Sequence, residues 1–162
     1  GEHIMEREQR TILNAVTLHN VLALPGHLDE EVRFFTRLVR DADKLDIWRV
    51  FIEHYRLPAA ERSGVIALDL PDTPGYSPQL LDCLDRGEMA RLEMVRSQND
   101  FTLLQLSWTY DLNFPASFRI LSERETIDAL AGTLPRDGKV LRAVERVKEF
   151  VERKRRDPYV ST

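Results

Sequence analysis

The sequence predicts an all-α fold, and three observations support this prediction. Apolar residues recur at helical spacing along most of the chain, strand-like alternation is nearly absent, and prolines and glycines fall between the periodic segments. At 162 residues the chain has the length of one domain, and about two thirds of the unfolded surface can be buried at this size. We therefore expect a single helical domain over residues 1–162.

Composition and charge narrow the classes of function. Apolar residues make up 43% of the chain and charged residues 31%, as in ordinary globular proteins. A formal net charge of -4 gives no general attraction to nucleic acid or to an anionic membrane. No apolar run can cross a bilayer, no signal-peptide pattern begins the sequence, and Cys83 has no second cysteine to pair with. We expect a cytoplasmic protein that binds neither membranes nor nucleic acid in general.

The predicted helices follow one another along the chain. The first covers residues 6–20 and ends at the loop "LALPGH", because proline and glycine break helices. The second covers residues 29–55 and begins with three acids, which complement the helix dipole. The loop "DLPDTPGYSPQ" follows, and its Ser77 and Pro78 are a typical cap and first-turn pair. Later helices are predicted at residues 78–85, 88–95, 101–111, 116–122, 126–134 and 138–156.

The second helix is expected to be the central one, because it is apolar on two sides. The two stripes are Val32, Val39 and Val50 on one side and Phe34, Leu38, Leu45, Trp48 and Ile52 on the other. Asp43 lies with the valines on a helical wheel, so its carboxylate is expected to be buried. Asp41 lies near the edge of the second stripe and is interpreted as structural or solvated. An unpaired buried carboxylate is costly, so Asp43 needs a partner.

Two accounts of Asp43 stay open from the residues alone. One is a buried ion pair with Arg40 or with an arginine elsewhere, and the other is a ligand role in a metal site. A calcium loop fits poorly, because "DADKLD" has no glycine at its sixth position and lies in a helix. Arg40 and Lys44 are the cations nearest to Asp43 in sequence, and the fork of a guanidinium suits a phosphate oxygen.

The segments "LHN" and "RDADKLD" resemble the C-terminal half of the HD-domain metal-dependent phosphohydrolases, together with the intervening "VLALPGHLDEEVRFFTRLV". The downstream text "QNDFTLLQLSWTYDLNFPASFRILSER" is similar to the tail of a bacterial subgroup of that superfamily. The resemblance implies a helical bundle of the HD type that lacks its N-terminal helices. Residues 1–57 would be the C-terminal half of the HD core, and residues 58–162 additional helices packed on it.

The resemblance also implies the residues of a site. In that superfamily a His, a His-Asp doublet and a later Asp bind one or two divalent metal ions. Asp43 matches the later Asp and is expected to be the final metal ligand, with His19 as a further ligand. Asp46, one turn on, is expected to accept a hydrogen bond that orients a ligand. Arg40 and Lys44 are expected to face the phosphate of the substrate.

The residues alone leave the role of His19 open. His19 follows Ile12 by seven residues and Val16 by three, so all three side chains are expected to point inward on one helical face. An inward histidine is often a core residue hydrogen-bonded to backbone, whereas the resemblance implies a metal ligand or a contact to the scissile phosphate. His27 in the loop is expected to be exposed, and His54 is expected to be structural.

The function implied by the resemblance is metal-dependent hydrolysis of a phosphomonoester or phosphodiester. The substrate would be a small phosphorylated molecule, such as a nucleotide. The metal ion would be Mn, Fe, Ni, Co, Zn or Mg, and it would lower the pKa of bound water toward neutrality. The sequence does not identify the base or sugar of the substrate, or the metal.

The pattern of the superfamily is incomplete in this sequence. None of the four histidines is followed by an aspartate, so the His-Asp doublet is missing. We therefore expect an N-terminal portion before Gly1 that carries the first helices. Without it an apolar groove beside Asp43 would be exposed, which favours a homodimer. The alternative is a non-catalytic helical signalling or nucleotide-binding module that has lost the metal site.

Overall fold

The structure, a computed structural model, describes residues 2–64, 66 and 68–156, and the side chains of all of these except residues 2–5 and 59. Within these ranges it is all-helical and has no β-strand, which confirms the predicted fold class. The described residues form seven α-helices: α1 (Glu2–Leu18), α2 (Glu30–Arg56), α3 (Pro78–Arg86), α4 (Gln98–Ser107), α5 (Pro115–Glu123), α6 (Thr126–Ala131) and α7 (Gly138–Arg156). None of them is long and apolar enough to cross a membrane.

Most of the predicted helices are present in the structure at the predicted positions. The bounds of α2 and α7 agree with the predicted ranges to within one residue. α3 begins at Pro78 as predicted and is followed by Gly87, whose φ of 69° is the left-handed conformation that glycine readily adopts after a helix. α1 ends at Leu18, two residues before the predicted end.

The helix predicted over residues 88–95 is wrong. The structure has only a short 3₁₀ turn there, Leu92–Met94, in an otherwise irregular segment. The backbone N–H of Ala90 donates to Oγ of Ser107 (2.9 Å), so this segment is held against α4 by a tertiary hydrogen bond. The predicted helix over residues 101–111 is also divided, because α4 ends at Ser107 and a 3₁₀ turn, Trp108–Asp111, follows.

The hydrophobic core is formed by the second half of α2 and by the helices that follow it. Every fully buried side chain in the main core cluster comes from Trp48 or from a later position. The indole N–H of Trp48 donates to the carbonyl oxygen of Gln105 (3.2 Å). The rings of Phe51 and Phe101 pack with their centroids 4.9 Å apart. α2 also contacts α1, α5 and α6, as expected of a central helix.

The first helix packs on α2 through small side chains. Thr11 and Ala15 are buried, whereas Ile12, Leu13 and Val16 are 57–67% exposed. The prediction that Ile12 and Val16 face inward is therefore wrong. Small residues four positions apart lie one above the other on a helix, and they allow a neighbouring backbone to approach closely.

The division of the chain at residue 57 stays a prediction. Trp48 and Phe51 of α2 belong to the same core cluster as Leu80 and Leu84 of α3 and Leu103 of α4. Side chains from both sides of residue 57 thus share one hydrophobic core.

Candidate functional site

A buried polar cluster lies where the middle of α2 meets the segment between α4 and α5. We call it the polar clamp, and its six side chains are Arg40, Asp41, Lys44, Asp111, Asn113 and Ser117. Arg40, Asp41 and Lys44 are only 2%, 1% and 7% exposed. Positions 40, 41 and 44 fall within about 100° of one another on a helix, so α2 presents all three side chains to the same neighbours.

Asp41 caps the start of α5. Its carboxylate accepts hydrogen bonds from the backbone N–H groups of Asn113 and Phe114, both at 3.0 Å. It also accepts from the side-chain amide of Asn113 (2.9 Å) and from the hydroxyl of Ser117 (2.6 Å). Phe114 precedes the first turn of α5, and its backbone N–H is one of the N–H groups that lack a helical partner at a helix start; Asp41 supplies the acceptor for it. The carboxylate also complements the positive end of the α5 dipole.

Arg40 and Lys44 both bind Asp111. Oδ2 of Asp111 accepts from Nε (3.1 Å) and Nη2 (2.8 Å) of Arg40 and lies 2.7 Å from Nζ of Lys44. The third guanidinium nitrogen, Nη1 of Arg40, donates to three carbonyl oxygens at the end of α1, those of Leu18, His19 and Val21, at 3.2, 3.1 and 2.6 Å. Arg40 thereby satisfies carbonyl groups at the C-terminus of one helix and joins them to the 3₁₀ turn that ends at Asp111.

The predicted contact of Arg40 and Lys44 with a phosphate stays a prediction, but the structure gives both side chains other partners. All three nitrogens of the Arg40 guanidinium donate to protein oxygens. Nζ of Lys44 binds Asp111 and lies 3.5 Å from the carbonyl oxygen of Arg40. Turning either buried cation toward a phosphate would break its ion pair with Asp111, which is costly. The geometry therefore favours a role for both cations in holding the fold.

Asp43 differs from Asp41 in burial and in partners. It is half-buried, at the edge of the face that α2 turns to the interior. In the part of the chain that the structure describes, no hydrogen bond or ion pair engages its carboxylate. The expectation of a buried Asp43 is therefore wrong, and so is the ion pair with Arg40, because Asp111 takes that place. Asp43 keeps a carboxylate that is available to a ligand.

His19 lies just after α1, and one hydrogen bond orients its ring. Nδ1 is 2.6 Å from the carbonyl oxygen of Val16. A carbonyl oxygen can only accept, so Nδ1 carries the proton, and Nε2 of the neutral ring has a free lone pair. Metal-ligating histidines are commonly oriented in this way by a backbone carbonyl. Because Arg40 binds the carbonyl oxygen of His19, the end of α1 lies against the turn of α2 that precedes Asp43.

The other predicted residues lie outside this junction. Asp46 is exposed and pairs with Arg49 at 2.8 Å, and its predicted orienting role stays a prediction. His27 is exposed, as expected for the loop. His54 is 4% exposed, in agreement with a structural residue.

The donor types of His19 and Asp43 suit a divalent metal ion, but their number falls short. Among the described residues, no group of three or more His, Cys, Asp or Glu side chains could hold a metal ion. Stable transition-metal sites usually have three or more protein ligands. The described residues therefore form no complete metal site, and the roles of His19 and Asp43 as ligands stay predictions.

Comparisons of the chain with protein-family models, with curated proteins and with solved structures give no match. The relationship to the HD-domain superfamily therefore rests on "LHN", "RDADKLD" and the downstream segment, and it stays a prediction.

Sequence reasoning missed the partners of the polar clamp, Asp111, Asn113 and Ser117. The signal was weak, because Arg40 and Lys44 lie four residues apart on α2 but between its two predicted apolar stripes, so the sequence does not mark them as buried. Two cations on a buried face require an acid from another element. The segment "SWTYDLNF" offers one acid among aromatic residues, and it is Asp111.

Proposed function

We propose that this chain is the C-terminal part of a metal-dependent phosphohydrolase of the HD type, with a small phosphorylated molecule such as a nucleotide as substrate. The observation that supports the proposal most directly is that two groups able to ligate a metal ion, Nε2 of His19 and the carboxylate of Asp43, are not engaged. Neither has a hydrogen-bond partner within the described ranges. Arg40 donates to the carbonyl oxygen of His19 and lies three residues before Asp43 on α2, which supports the proposal that the two groups act at the same end of α1.

In this proposal the residues of the chain bind the metal ion and position its ligands. His19 and Asp43 supply two ligands, and residues outside this sequence supply the others. The hydrogen bond to Val16 fixes the His19 ring in the tautomer that leaves Nε2 free to bind. Arg40 is a positioning residue, since it fixes the His19 backbone relative to α2. His19 and Asp43 would hold a divalent ion together with further ligands, and that ion would supply an activated water and neutralise charge on the phosphoryl oxygens.

Paramagnetic broadening by Mn²⁺ tests the ligand assignment in this chain. Millimolar Mn²⁺ is expected to broaden the amide signals around His19 and Asp43 first, since a site with two ligands binds weakly. Asp43→Asn is expected to remove this selective broadening. Asp46→Asn is the matched control, because Asp46 is an exposed aspartate one turn further along α2, and its loss is expected to leave the pattern unchanged. Broadening that Asp43→Asn does not alter would overturn the assignment.

Catalysis is tested in a longer protein that also carries the remaining ligands. That protein is expected to hydrolyse a phosphate ester in the presence of Mn²⁺. Asp43→Ala is expected to abolish turnover and to leave the helical circular dichroism spectrum intact, because the apolar side chains of α2 stay in place. If the variant hydrolyses substrate as well as its parent, the metal interpretation of "RDADKLD" is wrong.

A non-catalytic helical module that binds a nucleotide or a partner protein is the second candidate. It is favoured by the engagement of Arg40 and Lys44 with Asp111, which leaves neither cation directed at a phosphate. The encoded sequence before Gly1 separates the two candidates. A His followed by a His-Asp doublet in helical context favours the enzyme, and their absence favours the module.

A homodimer also stays a proposal. Ile12, Leu13 and Val16 form an exposed apolar stripe on α1, and such a surface favours self-association. Sedimentation velocity is expected to show a dimer that Leu13→Glu converts to a monomer. A parent chain that stays monomeric at all concentrations would contradict it.

A further inference from the structure

A second candidate site is a cleft at the C-terminal end of α3, with a volume of about 520 Å³. This lies within the range of about 300–1,000 Å³ that is typical of small-molecule sites. Its lining combines apolar side chains with two guanidinium and two carboxylate groups, and it includes Arg86, Glu88, Met89, Arg91, Tyr110 and Asp111. None of these residues belongs to the proposed metal site.

The rim of the cleft is fixed by the backbone. Gly87 ends α3 in the left-handed conformation, and the N–H of Glu88 donates to the carbonyl oxygen of Cys83 (2.9 Å). Ala90 is buried, and its N–H donates to the hydroxyl of Ser107 (2.9 Å). A rim held by these bonds is formed before any ligand arrives, which lowers the entropic cost of binding.

Tyr110 supplies a fixed aromatic wall. Its hydroxyl donates to the carbonyl oxygen of Leu84 (2.8 Å), and its ring packs edge-on against Phe150 with the centroids 4.8 Å apart. The hydroxyl is thus engaged, and the ring presents an apolar surface beside Met89 in the lining of the cleft. A ring and a thioether are well suited to pack against a flat apolar group.

The charges at the cleft favour an anion. Arg86 pairs with Glu88 at 2.9 Å, so these two charges offset one another. The carboxylate of Asp111 is held by two cations of the polar clamp. Arg91 is exposed, and among the described residues no hydrogen bond or ion pair engages its guanidinium. An available guanidinium matches the oxygens of a phosphate monoester.

We infer that this cleft binds a phosphomonoester that carries an aromatic group, with Arg91 on the phosphate and with Met89 and Tyr110 against the ring. The inference does not depend on a metal ion or on the proposed hydrolysis. It holds for the enzyme and for the non-catalytic module alike.

Binding is tested by titrating the chain with phenyl phosphate in the presence of a metal chelator, followed by amide chemical shifts. The amides of residues 86–91 and 110–111 are expected to shift. Phenyl phosphate is expected to bind about tenfold more tightly than inorganic phosphate, because the ring buries apolar surface. The chelator keeps the test independent of the metal site, so failure here leaves the proposal for His19 and Asp43 standing.

Two variants separate the contribution of the phosphate contact from that of the ring contact. Arg91→Glu is expected to weaken binding of both phosphates by at least about tenfold, whereas Met89→Ser is expected to weaken phenyl phosphate alone. Arg119→Glu is the matched control, because Arg119 is exposed on α5 and does not line the cleft. Circular dichroism checks that each variant is folded. Equal affinities of the Arg91→Glu and Arg119→Glu proteins, or shifts centred on residues 19 and 43, would overturn the inference.

Discussion

Residues 6–44 and residues 48–151 are held in place by different interactions. The later region buries a continuous cluster of leucines, valines and aromatic residues. The earlier region contributes no side chain to that cluster, and exposes Ile12, Leu13 and Val16 on α1. It is joined to the later region by the hydrogen bonds and ion pairs of the polar clamp and by an edge-to-face contact of Phe34 with Phe114, whose ring centroids are 5.6 Å apart.

The difference bears on stability and on function. Apolar burial is spread over many contacts, and losing one of them weakens the cluster only in part. A polar clamp depends on each partner, because an orphaned buried charge is penalised fully. His19 lies on the side of the clamp with less apolar burial, where local opening is easiest. Ligand-binding elements are often found in such regions.

Hydrogen exchange is expected to show the largest contrast. Amides of α4 are expected to exchange only through global unfolding, and amides of α1 through local opening. For a domain of ordinary stability the protection factors should differ by at least about a thousandfold. Equal protection in the two helices would show that the earlier region belongs to the same cooperative unit as the core.

The next largest effect is expected from Asp41→Ala. The substitution leaves the N–H groups at the start of α5 and the hydroxyl of Ser117 without their acceptor, so unfolding free energy should fall by about 3–5 kcal/mol. Urea denaturation followed by circular dichroism measures it. Asp43→Ala is the matched control on the same helix and should cost less than about 1 kcal/mol. A reversed order would contradict the assignment of Asp41 as the cap of α5.

Leucine truncations compare the two regions directly. Leu103→Ala removes a fully buried side chain of α4 and should cost about 2–5 kcal/mol, because a cavity remains. Leu13→Ala removes a side chain that is 67% exposed and should change stability by no more than about 0.5 kcal/mol in the monomer. A large loss for Leu13→Ala at low protein concentration would mean that α1 is packed more tightly than its exposure indicates.

The smallest expected effect is a pH dependence in the later region. Burial raises the pKa of Tyr110 to about 12. The unfolded phenol ionises first, so the contribution of Tyr110 is fully present below its ordinary pKa near 10 and is lost as the pH rises through 12. Because Tyr110 is partly exposed, the loss should be about 1–2 kcal/mol. Denaturant midpoints between pH 9 and 12 measure it, and Tyr110→Phe should flatten this part of the profile. A parallel profile for the variant would exclude Tyr110 as the cause.

The helix bounds were largely predictable because their signals are local. Ser77 and Pro78 precede α3, and Gly138 and Arg156 bound α7 as predicted. The segment 88–95 was not predictable in this way, because the hydrogen bond from Ala90 to Ser107 joins residues far apart in sequence. Helical periodicity carries no information about such a partner.

In the candidate site, too, some features were predictable from local sequence and others depended on contacts between distant residues. The sequence alone predicted that α2 is a central helix with an acid on its inner side, because apolar spacing and residue type are local properties. The tertiary contacts of α2 show that Asp41 rather than Asp43 is the buried acid. A helix that is apolar on two sides fixes no single inward direction, so the wheel could not distinguish positions 41 and 43. The start of α5 decided it, since unsatisfied N–H groups there require an acceptor and Asp41 is the carboxylate that reaches them.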